Sequence, residues 1–223
     1  RFATRAGQWN QRIAEAGFPL TNGSNSGAPY DVVADYFRGA TGMMKDLFRH
    51  KEKLKLVLDK AAVFLARMTI ANAKAANHPI VFIPTHWAPD AFMSPRQFDE
   101  FWWPPFRKML LELIDAGLVP MPMWESDCTR RLEVIKDIPA GKCIYWFERT
   151  DMVKAFEVLG DRVALRGNLS PSMLTTGTRA SSKNGTLAAS SMKSLRARRR
   201  LCAGTSCSSA GVAGSTGIGS PSN

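Results

Sequence analysis

Four short apolar runs, the first three each followed by a helical segment, constrain the fold more than any other feature. The runs are Ile80 to Ile83, Leu118 to Met123, Lys142 to Phe147 and Arg162 to Arg166. Runs this short, rich in β-branched and aromatic residues, suit strands buried on both faces. Pro120 and Pro122 weaken the second, because proline cannot donate to a ladder. Ser94 and Pro95 open a helix, with serine as its cap and proline in the first turn. That helix runs to about Ala116 and stops at Gly117. Thr129 to Lys136 reads as helical, and Asp151 caps a helix ending near Gly160. Upstream, Tyr30 to His50 places Val33, Tyr36, Phe37, Met43, Met44, Leu47 and Phe48 at helical steps, weakened at Gly39 and Gly42. Glu52 to Asn77 forms a second long helix. Residues 21–29 form a polar Gly/Ser/Asn loop. Strand–helix alternation with short connections predicts a parallel α/β fold. Periodicity alone does not separate a closed barrel from an open sheet.

Charge divides the chain unevenly. The 223 residues carry 30 Lys and Arg against 19 Asp and Glu, a net charge of +11. Arg179, Lys183, Lys193, Arg196, Arg198, Arg199 and Arg200 fall in the last stretch, 179–223, which has no acid and is rich in Ser and Gly. Basic charge of this kind can meet phosphates. Because it is gathered on a tail without aromatic residues or a sustained apolar period, the body of the chain is not read as a nucleic-acid binder. The tail itself reads as disordered, since it cannot bury enough surface to offset its ordering entropy. Cys128, Cys143, Cys202 and Cys207 have neither zinc-finger nor disulfide-framework spacing, so a reducing, cytoplasmic setting is expected. No apolar run approaches the ~20 residues of a membrane span. Residues 1–16 lack the apolar core of a signal peptide.

In parallel βα folds, ligands bind beyond the carboxyl ends of the strands. The residues there are His86, Trp87 and Asp90; Trp124, Glu125, Asp127 and Arg130; Glu148, Arg149, Thr150 and Asp151; and Asn168 and Ser170. Together they offer acids, one imidazole and cations beside an aromatic wall. Asp151 reads first as a helix cap, and Asp127 can equally cap the helix starting near Thr129. Asn168 suits the turn after Gly167, and His86 alone carries little weight. Glu125 follows a strand tip with no helix of its own to cap. Trp102 and Trp103, at helical spacing with Phe98, Phe101 and Phe106, read as packing against the sheet.

Three stretches carry a resemblance: DAFMSPRQFDEFWWPPFRKMLLELIDAGLVP, RLEVIKDIPAGK and TDMVKAFEVLGDRVALRGNLSPSMLTTGT. They are similar to the uroporphyrinogen decarboxylase-like family, and PYDVVADYFRGATGMMKDLFRHKEKL resembles the helical region preceding them in one branch of it. The most specific elements are Ser94 to Pro104 and Leu159 to Asn168. The resemblance covers about residues 28–178. It implies a (β/α)8 barrel, here partial, lacking its first and last strands, with an N-terminal segment over 1–27 and the basic tail over 179–223. The change after Thr178 is abrupt and reads as a shifted frame, with a genuine basic extension as the alternative.

The family holds two chemistries. One removes acetate carboxyl groups from a tetrapyrrole without metal or cofactor. The other transfers methyl groups to and from corrinoids, using zinc to activate a thiol. The zinc-binding His-x-Cys pair of the second falls here on Met123 and Glu125, with Cys128 on the following turn, so the recognised site is absent. The expectation is therefore a lyase acting on a tetrapyrrole carboxylate, without cofactor. Glu125, Asp90 and Glu148 are its candidate catalytic groups. His86, Trp87, Asp127, Arg130, Arg149 and Asn168 are its candidate substrate-binding groups. The alternatives are a corrinoid-dependent methyltransferase with zinc and cobalamin at a non-standard site, and a non-catalytic tetrapyrrole-binding protein. A small-molecule partner is expected, a membrane is not, and a homodimer is compatible with the reading.

Overall fold

The structure, a computed structural model, describes residues 2–18 and 20–170. The expectations for the tail over 179–223 lie outside the described residues. The described elements are a helix α1 (Phe2–Glu15), then β1 (Ser24–Asn25), α2 (Pro29–Val32) and a π-helical turn Val33–Arg38. There follow α3 (Gly39–Arg49), α4 (Lys51–Ala76), β2 (Ile80–Thr85), α5 (Pro95–Gln97) and a second π-helical turn Phe98–Trp102. The chain continues through α6 (Trp103–Asp115), β3 (Val119–Trp124), a 3-10 turn Thr129–Arg131 and α7 (Leu132–Ile135). It closes with β4 (Ile144–Phe147), α8 (Met152–Leu159) and β5 (Ala164–Gly167). The five strands form one parallel sheet in the order β1-β2-β3-β4-β5. This is an arc of a barrel, and it is not closed.

Local chemistry accounts for most boundaries. Ser94 and Gln97 form a capping box: Ser94 Oγ accepts the Gln97 N–H at 3.2 Å, and Gln97 Oε1 accepts the Ser94 N–H at 3.0 Å. Asp151 Oδ1 accepts the N–H groups of Val153 and Lys154, capping α8. Gly117, at φ +79°, turns the chain out of α6 in a conformation that favours glycine. The segment read as a helix from Tyr30 to His50 is broken once, where the π-helical turn ends at Gly39 with φ +69°. Two elements escape the sequence reading. α1 lies in the polar N-terminal segment. β1 lies inside the polar loop and is held by Gly23 N–H to Ile80 O and Ser26 N–H to Phe82 O, both 3.0 Å. Two polar residues leave no hydrophobic pattern to find.

The strand prolines sit where no partner needs their missing donor. Val119 donates to Pro79 O beside β2. Alternation along β3 then aims the N positions of Pro120 and Pro122 at β4. There the ladder begins only at Met123 opposite Trp146. Pro84 likewise faces the β1 side, beyond where β1 ends. A central strand tolerates proline only under such conditions.

Alternation also separates two faces. On one, Trp124, Tyr145 and Phe147 are buried against Trp102, Trp103 and Phe106 of the helical layer. Ring centroids are 5.6 Å apart for Trp102–Trp124 and 5.4 Å for Trp124–Tyr145. The paired tryptophans are thus packing groups. On the other, open face stand Phe82, Met121, Met123, Trp146 and Arg166, with Phe82 and Trp146 rings 5.9 Å apart.

Candidate functional site

The open face leads to the rim formed by the carboxyl ends of the strands. His86, Glu125, Glu148 and Asn168 each stand two residues beyond an open-face residue, namely Pro84, Met123, Trp146 and Arg166. The period of two that buries one face of a strand therefore delivers His86, Glu125 and Glu148 to the same rim, whereas Gly167, at φ +120°, interrupts the alternation before Asn168.

His86 and Glu125 meet there. His86 Nδ1 lies 3.0 Å from Glu125 Oε2, and both side chains are partly exposed. Burial pulls the imidazole pKa down. The hydrogen bond and charge of Glu125, with the charges of Asp31 and Asp35, more than offset this and raise it above its ordinary value. The pair can hold a proton and offer it outward.

A buried carboxylate, absent from the sequence reading, fixes the loop carrying His86. Asp31 is 2% exposed. Its Oδ2 accepts the backbone N–H of His86 at 2.5 Å and of Trp87 at 3.4 Å. Its Oδ1 accepts Trp102 Nε1–H at 2.8 Å. Burial pushes its carboxyl up to about 7, against the downward pull of these three donors. In the sequence Asp31 looks like an ordinary first-turn acid of a helix. Nothing local signals that it reaches across 55 residues.

Trp87 turns its Nε1–H to Asp35 Oδ1 at 2.9 Å, and its ring meets Phe92 at 5.3 Å and Tyr30 at 6.2 Å. This is the aromatic wall beside His86. Glu148 Oε2 accepts the Ser126 N–H at 2.7 Å, while its Oε1 lies 3.4 Å from Ser170 Oγ and 3.7 Å from Arg149 Nε. The Arg149 side chain is otherwise open to solvent, as is that of Arg130.

The remaining candidates are engaged structurally. Asp90 Oδ2 accepts the Arg130 N–H at 3.0 Å. Asp90 Oδ1 lies 3.1 Å from Arg131 Nε, close as an ion pair but not aligned as a hydrogen bond. Arg131, also missed, is 1% exposed. It donates to Met93 O and Ala88 O and stacks 4.5 Å over Phe98. Asp127 Oδ1 accepts from Thr129 N–H at 2.9 Å and Thr129 Oγ1–H at 2.5 Å, the turn cap that its position suggests. Asn168 Nδ2 donates to Thr150 O at 2.9 Å.

A zinc ion does not fit this donor set. Among the described residues no three His, Cys, Asp or Glu side chains converge on one point. The nearby Cys128 thiol is buried and turned toward Glu125 O. Burial first, then the Asp90 charge, raises its pKa far above that of a free thiol, whereas zinc binds the thiolate.

The model of the family described as uroporphyrinogen decarboxylase (URO-D) matches residues 13–208, reaching past both ends of the stretch that carries the resemblance. No curated protein matches the chain. Among solved structures, a methyltransferase from Methanosarcina mazei is similar, with 19% identity and a TM-score of 0.53 over 70% of this chain. The chain spans 45% of that protein's length. At this identity the likeness speaks for the fold. Among the described residues no helix is long and apolar enough to cross a membrane.

Proposed function

The chain belongs to the uroporphyrinogen decarboxylase (URO-D) family, and from that premise we propose that its rim serves a lyase reaction on a tetrapyrrole carboxylate. The observation that carries this reading is the His86–Glu125 pair, 3.0 Å apart at the ends of adjacent strands. Loss of carbon dioxide from an acetate side chain needs an electron sink and one net proton. A proton delivered to a ring carbon creates the sink. The bond between the side-chain methylene and the carboxylate then breaks, and its electron pair flows into the ring. Carbon dioxide leaves, and protonation of the exocyclic carbon with loss of the ring proton gives a methyl group. The balance is one carboxylate and one proton in, one methyl and one carbon dioxide out.

The imidazolium of His86, favoured by Glu125, is the proton source in this scheme. A raised imidazole pKa keeps it charged nearer neutral pH, which suits a general acid. Trp87 and Phe92, inclined to each other by 49°, offer aromatic surface for a conjugated ring. Arg149 and Arg130 offer exposed cations for substrate carboxylates, and Glu148 positions the first of them. Asp90 and Asp127 act through the turns they hold. Among the described residues no donor set converges for the zinc of the methyl-transfer alternative.

The test is incubation of the chain with uroporphyrinogen under anaerobic reducing conditions, followed by oxidation and chromatography of the porphyrins by carboxylate number. Products with fewer carboxylates are expected from the wild type and not from Glu125→Gln. Octacarboxylate alone, at every pH between 5 and 8, overturns the reading.

A further inference from the structure

Among the described residues no ion pair explains the placement of Arg166. It lies on β5, in register with Trp146 on β4. Both belong to the open face, one strand position short of the rim that carries Glu148 and Asn168. The guanidinium carbon sits 4.0 Å from the centroid of the Trp146 ring, a close cation–π seat. Among the described residues its guanidinium hydrogen-bonds only through Nη1 to Met121 Sδ at 3.7 Å, and a thioether is a weak acceptor. Among the described residues no carboxylate forms an ion pair with it.

Each neighbour therefore fixes the guanidinium without neutralising it. The indole face attracts the cation and seats it, and a guanidinium keeps donors beyond the ring for another partner. A fixed fork without a counter-charge matches a carboxylate, which it can bind through two parallel N–H···O bonds. Phe82 and Trp146 supply apolar surface beside it. Arg131 makes the contrast: it lies 4.5 Å over Phe98, but is buried and committed to Asp90, Met93 and Ala88.

We propose that Arg166, seated on Trp146, is an anion-gripping residue that holds a carboxylate of a polycarboxylated aromatic ligand against the open face. It would fix the ring while another side chain reaches the rim. This deepens the lyase reading and rests on it for the identity of the ring, but the grip itself is a binding property.

The test uses uroporphyrin, the oxidised and unreactive octacarboxylate, as the probe, with binding followed by calorimetry and porphyrin absorbance. Wild type is expected to bind, with competition by benzenehexacarboxylate and not by equal concentrations of inorganic phosphate. Arg166→Gln is expected to weaken binding by about tenfold or more, the loss of one charged bidentate contact. Arg166→Lys, which keeps the charge without the fork, is expected to fall between. Trp146→Leu removes the seat and is expected to weaken binding with Arg166 intact. Unchanged affinity in Arg166→Gln, equal competition by phosphate, or no binding by wild type overturns the proposal. The two readings fail separately. Turnover with an Arg166-independent affinity rejects the grip and keeps the lyase. Arg166-dependent binding without turnover does the reverse.

Discussion

The carboxylate of Asp31, in the first turn after β1, accepts the backbone N–H of His86 at the end of β2, 2.5 Å away. One buried acid thus sets the loop from which His86 meets Glu125. Burial raises the Asp31 carboxyl to about 7, from an ordinary value of 3.8. The folded chain then keeps a proton over a range where the unfolded chain has lost it. Its contribution to stability is fully present below about pH 4, declines as the pH climbs toward 7, and is level above. Asp31→Asn removes this slope. It also points an amide N–H at a backbone N–H, costing about 1–3 kcal/mol. Denaturant unfolding from pH 4 to 8 is expected to show the gap between wild type and variant shrinking as pH rises. A constant gap contradicts it.

The His86 imidazole has the same direction of shift through a different cause. Its pKa is raised because Glu125, Asp31 and Asp35 outweigh burial. The stabilisation of the pair is present below the ordinary histidine range and is lost as pH rises through the raised value. Glu125→Gln keeps an oxygen acceptor and removes the nearest charge. Proton NMR titration should show the His86 midpoint moving down. An unshifted midpoint would show that the pair is not electrostatically coupled.

Arg131 and Asp90 separate a structural pair from a catalytic one. Arg131→Ala strands the Asp90 carboxylate and leaves Met93 O and Ala88 O without their donor. Removing one partner of a buried pair costs about 3–5 kcal/mol. Asp90→Asn keeps an acceptor for the Arg130 N–H and is expected to cost less. Thermal melts should rank wild type above Asp90→Asn above Arg131→Ala. The reverse order would mean that Asp90 has a task other than holding Arg131.

The two side-chain caps give a cleaner scale. Ser94→Ala and Asp151→Ala each remove a cap and are expected to cost about 1 kcal/mol. They share no partner, so the double variant should lose the sum. A double variant no worse than either single would show that the two helices do not unfold with the same core.

What could be read in the sequence was whatever repeats or caps locally. The alternation of strands and helices, the Ser94 and Asp151 caps and the stop at Gly117 all follow from nearest-neighbour chemistry. So does the delivery of Glu125 and His86 to one rim, because strand alternation carries through to the tip. β1 was hidden because two polar residues form no pattern, and only their hydrogen bonds to β2 make a strand of them. Asp31, Arg131 and Arg166 were hidden for a related reason. Each is defined by a partner from a distant segment: the His86 N–H, the Met93 carbonyl and the Trp146 ring. Their neighbours in sequence are silent on all three.

The prolines of β3 have a mechanical consequence. β3 and β4 are joined at Met123–Trp146 and Trp124–Phe147, then by Glu148 N–H to Trp124 O and Arg149 N–H to Ser126 O. Below that point Pro120 and Pro122 have nothing to donate. The two strands are therefore tied to each other at the rim like tongs at their pivot, while at the floor each is held by its outer neighbour, β2 or β5. The spacing between Glu125 and Glu148 is therefore set by direct bonds between their two strands, whereas at the floor it is inherited from β2 and β5.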